Sequence, residues 1–381
     1  MHILVLGGGL QGSACAYDLL RQDDVETVAI ADIRKGQRAP FVRDDPRLRL
    51  RQLDFSDASA VAAAMEGKDV VLSAAPYYFN SEMTRLAIHA GADYSDLGGN
   101  TDIVFEQLDM NASAVESGST VIPDVGLAPG MVNVIAAEGI RLLDEVESVK
   151  MFVGGLPQHP APPLNYQVVY SLEGALDYYT TPAWIIRDGE PVEVDALSEI
   201  EEVGFDGLGR LEAFHTGGGT STMPWRYKDR VKRLEYKTLR YPGHAGIMRD
   251  MRELGLLENE PIKVGEIEVR PRDVFIHCVT PHLTRPGDPD MVVLRVEASG
   301  KAGGRAVTHR WNLLDRKDEQ TGITAMERCT GYTLSITGLL MGRDVIPQPG
   351  VMSPDEAVPA ETLLEELAER GVVVQHEVIE G

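Results

Sequence analysis

The chain has 381 residues, 43% of them hydrophobic and 25% charged, which is enough to bury a sizeable core in about two domains and excludes a disordered chain or a disulfide miniprotein. A formal net charge of -23 repels phosphate backbones and anionic lipid, so neither nucleic acid nor a membrane surface is an expected partner. Cys15, Cys278 and Cys329 are scattered without a CxxC pair and no apolar run reaches the roughly 18 residues of a membrane span, so a cytoplasmic protein is expected.

The apolar run at 3–6 is followed by a glycine-rich turn at 7–12 and a helix-compatible stretch at 13–20, which reads as strand, tight loop and helix. A second buried run, 27–31, closes on Asp32. An Arg-rich segment, a strand near 48–53 and a helix over 57–65 come next. Strands at 69–73, 93–96 and 120–122, with helices between them, continue the rhythm. This alternation predicts an α/β fold whose N-terminal part, 1–125, is a Rossmann-type doubly wound parallel sheet. After about residue 147 the segments 148–153, 262–269, 274–279 and 291–298 read as strands without regular helical partners. They predict an inserted α+β mixed-sheet domain over 126–320. Residues 322–340 and 359–370 read as helices, so 321–381 is expected to rejoin the Rossmann domain.

Gly7-x-Gly9-x-x-Gly12 lies between the first strand and the first helix, the context in which it binds a dinucleotide. The first glycine permits the turn, the second lets pyrophosphate reach the backbone and the third lets helix pack on strand; Leu10 and Gln11 fill the loop between them. Asp32, with Ile33 beside it, ends the second strand 20 residues after Gly12, where a carboxylate accepts both ribose hydroxyls. That charge repels a 2′-phosphate and favours NAD over NADP, although Arg34 offers a partner to such a phosphate. Asp54 has two readings, an adenine contact from the end of the third strand or a turn before the next helix cap. The small residues Ala74, Ala75 and Pro76 leave the fourth strand at the edge where such sheets bind ligands and leave room for the nicotinamide ribose. The loops at 96–100 and 126–133, the latter containing Leu127 and Gly130, leave neighbouring strands at the same edge.

The chain resembles the saccharopine dehydrogenase superfamily through Gly7 to Gly12, Ala75-Pro76-Tyr77, Gly126-Leu127-Ala128-Pro129-Gly130, Gly154-Gly155-Leu156-Pro157, the segment 237–244 and the helix at 331–342. Within that superfamily it is most similar to the L-lysine 6-dehydrogenase group. The resemblance implies a Rossmann domain, an insert for substrate and oligomer contacts, C-terminal helices that return, and a homodimer or larger assembly. Saccharopine reductases carry an Asp within Gly-Leu-x-Pro-Gly and an Arg in the loop that here reads Thr216-Gly217-Gly218-Gly219-Thr220. Ala128 and the glycines therefore point to a substrate with fewer carboxylates, because each buried carboxylate needs a cation.

The resulting expectation is an NAD-dependent oxidoreductase acting on a CH–NH2 or CH–NH donor. It would oxidise the side-chain amine of L-lysine to a semialdehyde that can cyclise, with release of ammonia. Arg240, with Tyr241, is expected to hold the substrate carboxylate, and Glu173 an amine, near Gly130. The amine must be neutral when hydride leaves, so a base is needed; Asp96, His244 and Tyr77 are the catalytic candidates, beside Glu173. His277, Cys278 and His282 lack further ligands at metal spacing, and no metal is expected. The alternatives are a saccharopine or carboxynorspermidine dehydrogenase using NAD(P), and a non-catalytic NAD-binding protein.

Overall fold

A computed structural model describes residues 1–285, 287–346 and 348–381. The N-terminal strands are β1 (His2–Leu6), β2 (Thr27–Asp32), β3 (Leu48–Gln52), β4 (Val70–Ser73), β5 (Asp93–Asp96) and β6 (Thr120–Ile122). They form one sheet in the order β6-β5-β4-β1-β2-β3, every pair parallel. The central strands β1 and β4 are apolar on both faces because helices cover both. The edge strand β3, Leu-Arg-Leu-Arg-Gln, buries only Leu48. The strand order reverses at β1, flanked by β2 and β4, and this switch point opens a crevice at the carboxyl ends of the strands.

The first helix, α1 (Leu10–Leu19), begins three residues before the expected start, so Gly12 lies inside it and Leu10 and Gln11 form its first turn. Beyond β6 the chain builds a nine-stranded mixed sheet whose centre is Glu145–Pro157, paired in parallel with Val231–Arg240 and antiparallel with Asp290–Ala302. The α/β class with a parallel sheet and a mixed-sheet second part is as expected. One segment differs: 274–279 is not a strand but part of the helix Pro271–Leu283. Its β-branched and aromatic residues mimic a strand. However, Pro271 sits in the first turn, where a missing N–H costs nothing, and Phe275, Ile276 and Val279 share one packed face at helical spacing. The neighbouring run 262–269 is a small separate hairpin, Ile262–Val264 with Ile267–Val269, that leaves Ile262, Val264 and Ile267 exposed.

The long helix expected at 322–340 starts at Ala325, after a capping box of Thr324 and Glu327, and passes through a π-helical turn at Arg328–Tyr332 before Thr333–Gly342. It packs closely on α1: a Cβ on Gly331 would lie 2.7 Å from Ala14 Cβ and 2.8 Å from the Gln11 carbonyl oxygen. Gly350–Val351 then adds a parallel strand beside β6. The last strand, Gln375–Glu380, leaves the Rossmann side and pairs with Arg305–Arg316 on the mixed sheet, so the C-terminal segment ties both sheets together. Among the described residues no helix is long and apolar enough to cross a membrane.

A buried ion pair anchors this return. Asp18 of α1, 2% exposed, accepts hydrogen bonds from Arg370 Nε and Ser335 Oγ, each at 2.7 Å, and Glu366 holds Arg370 Nη1 at 2.5 Å. Removing one partner of a buried pair leaves the other charge uncompensated. Arg370→Met should therefore cost about 3 kcal/mol in denaturant unfolding, whereas the same substitution at exposed Arg141, paired only with Glu138 on its own helix, should cost less than about 1 kcal/mol.

Candidate functional site

The glycine loop has the shape of a dinucleotide cradle. Gly7 has φ +98° and a Cβ there would lie 2.7 Å from the Ala74 carbonyl oxygen; at Gly12 it would lie 1.9 Å from the Gly7 oxygen. These two glycines let strand, loop and helix meet. A Cβ on Gly9 meets nothing within 4 Å, so its backbone borders open space. Asp32, at the end of β2, accepts the Gly8 N–H at Oδ2 (2.9 Å) and the Arg34 N–H at Oδ1 (2.9 Å), with Arg34 Nε 3.4 Å away. Leu10 and Ile33 stand exposed beside this loop. Gln11 is half-buried, but its amide nitrogen and oxygen are both buried and have no hydrogen-bond partner among the described residues. An unsatisfied buried amide in the cleft wall is what a polar cofactor group would satisfy, so the residues present fit a dinucleotide. Asp54 closes a turn, its Oδ1 accepting the Ser56 N–H and Oγ at 2.9 and 2.7 Å, which is the second of its two readings.

The crevice continues into a cavity of about 680 Å³ between the two sheets. Its Rossmann wall includes Gln11, Ala74, Ala75, Pro76, Tyr77 and Leu127. The opposite wall brings Glu173, Asp177 and Tyr178 from the helix Leu172–Thr180, and Tyr236, Thr238 and Arg240 from the strand Val231–Arg240. Asn259, Arg270 and Arg272, from the segments flanking the exposed hairpin, close a third side.

Arg240 is 4% exposed, and no carboxylate of the described residues forms an ion pair with it. Its Nε donates to Tyr179 Oη (3.2 Å), its Nη1 donates to the Leu239 carbonyl oxygen (2.8 Å), and its guanidinium carbon lies 4.8 Å from the Tyr166 ring centre. By contrast Arg272 is fully engaged: Nη1 pairs with Asp177 Oδ1, Nη2 with Thr180 Oγ1 (2.9 Å) and Nε with the Leu257 carbonyl oxygen (2.8 Å). Arg270 pairs with Asp273 at 2.8 Å. The Tyr77 hydroxyl reaches across the cleft to Asp177 Oδ2 at 3.5 Å. Burial first, and then the Asp177 charge, push the Tyr77 phenol up, so it stays protonated and donates.

Four expected site residues lie elsewhere. His244 is 2% exposed, in the first turn of the helix His244–Glu253, behind the cavity wall. Its Nδ1 lies 3.1 Å from the Leu164 carbonyl oxygen, so Nδ1 carries the proton and Nε2 accepts from Tyr179 Oη at 3.0 Å. Burial, with the Arg240 charge, pushes its pKa down to about 3. It is thus a neutral acceptor that orients Tyr179, which in turn holds Arg240: a positioning residue and not a proton carrier. Asp96 is fully buried beneath the cleft, with Oδ1 accepting the Gly98 N–H (2.7 Å) and the Asp124 N–H (3.2 Å) and Oδ2 accepting Gln107 Nε2 (2.7 Å); it organises the turn after β5. Tyr241 donates its hydroxyl to the Pro157 carbonyl oxygen at 3.0 Å, away from the cavity. Gly130 shapes the loop: it has φ +119°, and a Cβ there would lie 2.3 Å from Gly126 N.

The glycines at 217–219 stand where they do for packing and not because a substrate-binding arginine is missing. Gly218 lies against Tyr178 and Gly219 against the Tyr236 ring, where an added Cβ would approach to 2.8 and 2.2 Å. The glycines are required by the two tyrosines, and the cavity gains Arg270 and Arg272 from a segment that the motifs did not mark. Asp177 was legible in principle, since it falls four residues after Glu173 on one helix face. Asp124 was not: it sits beyond β6 with φ +62°, accepting Ser221 Oγ at Oδ2 (2.5 Å) and the Gly99 N–H at Oδ1 (3.2 Å).

Burial pushes the Asp124 carboxyl up to about 7, and the neighbouring Asp96 charge adds to this; Asp96 itself is pushed up to about 6 by burial. A folded-state pKa above the unfolded one means stability that is present at low pH and lost as pH rises through the folded value. The unfolding free energy of the wild type should therefore fall, relative to that of Asp124→Asn, as pH is raised from 5 to 8; a constant difference across that range would remove Asp124 as a titrating group.

Comparison with known proteins agrees with this layout. Residues 3–122 match the family model of the saccharopine dehydrogenase NADP binding domain, and residues 126–372 match that of the saccharopine dehydrogenase C-terminal domain. A saccharopine dehydrogenase [NADP(+), L-glutamate-forming] of Schizosaccharomyces pombe is 22% identical over 99% of both chains. Among solved structures, apo saccharopine dehydrogenase (L-Glu forming) from Saccharomyces cerevisiae superposes with a TM-score of 0.82 over 99% of both chains at 19% identity. A homospermidine synthase from Legionella pneumophila in complex with NAD gives a TM-score of 0.71 at 12% identity, over 100% of this chain and 91% of that one.

Proposed function

Because the chain belongs to the saccharopine dehydrogenase family, we propose that it is an NAD-dependent dehydrogenase that oxidises the side-chain amine of L-lysine to the semialdehyde with release of ammonia. The observation that carries this reading is Arg240, a buried guanidinium that borders the cavity with only neutral partners. A buried cation without a counter-ion is costly, and a substrate carboxylate relieves that cost by accepting its fork. The other two cavity arginines already pair with Asp177 and Asp273, so the walls suit one carboxylate better than three. Glu173, exposed at the cavity mouth and without an ion-pair partner among the described residues, suits an ammonium group.

The bound nicotinamide supplies the hydride acceptor. The chain's part is to place the amine-bearing carbon, shed the amine's proton and keep the pocket ordered. Arg240, fixed through Tyr179 and His244, holds the far end of the substrate. Tyr77, donating to Asp177, leaves its oxygen lone pairs for the substrate N–H, and Glu173, exposed at the mouth, takes the proton out to water. Asp32 supports NAD: its carboxylate already faces the loop N–H and would repel a 2′-phosphate. A second reading, saccharopine with NADP, is favoured by Arg270 and Arg272 in the same cavity, by Arg34 beside Asp32 and by the name of the fission-yeast relative.

Formation of reduced nucleotide at mildly alkaline pH, with lysine or saccharopine and with NAD or NADP, separates the two. Turnover with lysine and NAD is expected; turnover confined to saccharopine or to NADP would establish the second reading, and none with any amine would leave a nucleotide-binding protein. Arg240→Leu should raise KM for the amino acid roughly 100-fold, the equivalent of about 3 kcal/mol for a charge-assisted contact, with KM for the nucleotide unchanged. His244→Asn should shift KM in the same direction by a smaller factor and leave the pH–rate profile in place.

A further inference from the structure

Away from the cavity, side chains from a loop and two paired strands converge on one buried ring. The strands Gly209–His215 and Val231–Arg240 run antiparallel with His215 opposite Lys237, which brings Glu235 close to His215. The loop before the strand Glu201–Phe205 folds over them, with φ +60° at Leu197 and +47° at Glu199. His215 is fully buried, and its Nε2 lies 3.4 Å from Glu199 Oε2 and 3.8 Å from Glu235 Oε2. All three ligand atoms lie within 4.8 Å of one another.

Nδ1 is 3.2 Å from the Tyr236 carbonyl oxygen, which only accepts; with its proton on Nδ1 the ring turns the Nε2 lone pair toward two carboxylate oxygens. Three electron pairs facing one another repel unless a proton or a metal ion lies between them. Each carboxylate is also oriented from behind: Glu199 Oε1 takes Arg187 Nη2 at 2.8 Å and Glu235 Oε1 faces Lys150 Nζ at 3.5 Å. Lys237 Nζ is held by the Glu199 carbonyl oxygen (2.8 Å) and by Glu201 Oε1 (2.6 Å). A histidine whose Nδ1–H is tied to a backbone carbonyl, with carboxylates fixed by outer partners, is the arrangement of a preformed metal site. Bonds of about 2.0 Å in a tetrahedron set ligand atoms roughly 3.3 Å apart, close to the separations from the imidazole.

We propose that His215, Glu199 and Glu235 bind one divalent transition-metal ion, with Zn2+ best suited to the nitrogen–oxygen ligand set and water in the fourth position. The site braces the cleft and takes no part in the chemistry: His215 precedes the loop 216–220, and Glu235 precedes Tyr236, on whose ring Gly219 packs.

The test is equilibrium dialysis of the chelator-treated full chain against Zn2+, repeated with Co2+ to read the visible bands of four-coordinate cobalt. About one tightly held equivalent is expected in the wild type, with affinity weaker by about tenfold or more in Glu199→Gln and Glu235→Gln. Glu199 has a half-exposed side chain, so its substitution spares folding. Cys278→Ser, which removes the exposed thiol one helical turn before His282, should leave uptake unchanged. The proposal is overturned if no ion is retained, if both Gln variants bind as the wild type does, or if uptake disappears with Cys278→Ser.

Discussion

The half of the cleft that faces the Rossmann domain is organised around a guanidinium buried without a carboxylate. Arg240 keeps its charge through solvation by neutral partners: a phenol, a main-chain carbonyl and the face of Tyr166. Each partner is fixed in turn. Tyr179 gives its proton to His244 Nε2, which turns an oxygen lone pair toward Arg240 Nε, and His244 offers its own lone pair because its Nδ1–H is spent on the Leu164 carbonyl oxygen. A chain of donors running one way from cation to backbone leaves the guanidinium's remaining N–H groups for an anion. Relays of this kind work only when the histidine stays neutral, and full burial keeps it so.

The rest of the site depends on holding two independently built walls in register. Ser221 donates to Asp124 at the carboxyl edge of the Rossmann sheet, and Asn133 Nδ2 donates to the Gly219 carbonyl oxygen at 3.1 Å. Both bonds land on the glycine loop, whose closeness to Tyr178 and Tyr236 tolerates no side chain. That loop is therefore a structural link between the sheets, and its glycines record packing and not the loss of a substrate contact.

The sequence carried the Rossmann half almost completely, because its signals are local: an apolar strand, glycines at fixed spacing and an acidic strand end each have one physical reading, and together they placed Gly7, Gly9, Gly12 and Asp32 where the crevice is. The second half was legible in outline only. Arg240 came from a motif, but the roles of its neighbours depend on depth. In a linear reading Asp96 and His244 are polar residues at a strand end and in a turn, as a base should be; in the fold they are fully buried and satisfied by backbone groups. Arg272 and Asp177 meet across 95 residues of chain, and no local period encodes that pairing. The helix Pro271–Leu283 failed for a related reason, since its Val, Phe and Ile favour strand by propensity while the choice was made by one proline and by the face that packs.

Tyr77 joins the two walls across the cavity itself. Its bond to Asp177 spans 3.5 Å, longer than a strong O–H···O contact. Such bonds are often long in an enzyme without its substrate and tighten in the Michaelis complex. Tyr77 is carried by the Rossmann loop after β4, and Glu173 and Asp177 by the helix that faces it. The Gln11 amide and the Arg240 guanidinium lie on opposite walls of one gap, and a dinucleotide on one wall and a carboxylate on the other would satisfy both. The net charge of -23 opposes entry of either anion from a distance, so affinity must come from these short-range donors, which is why they are buried and preset instead of displayed on the surface.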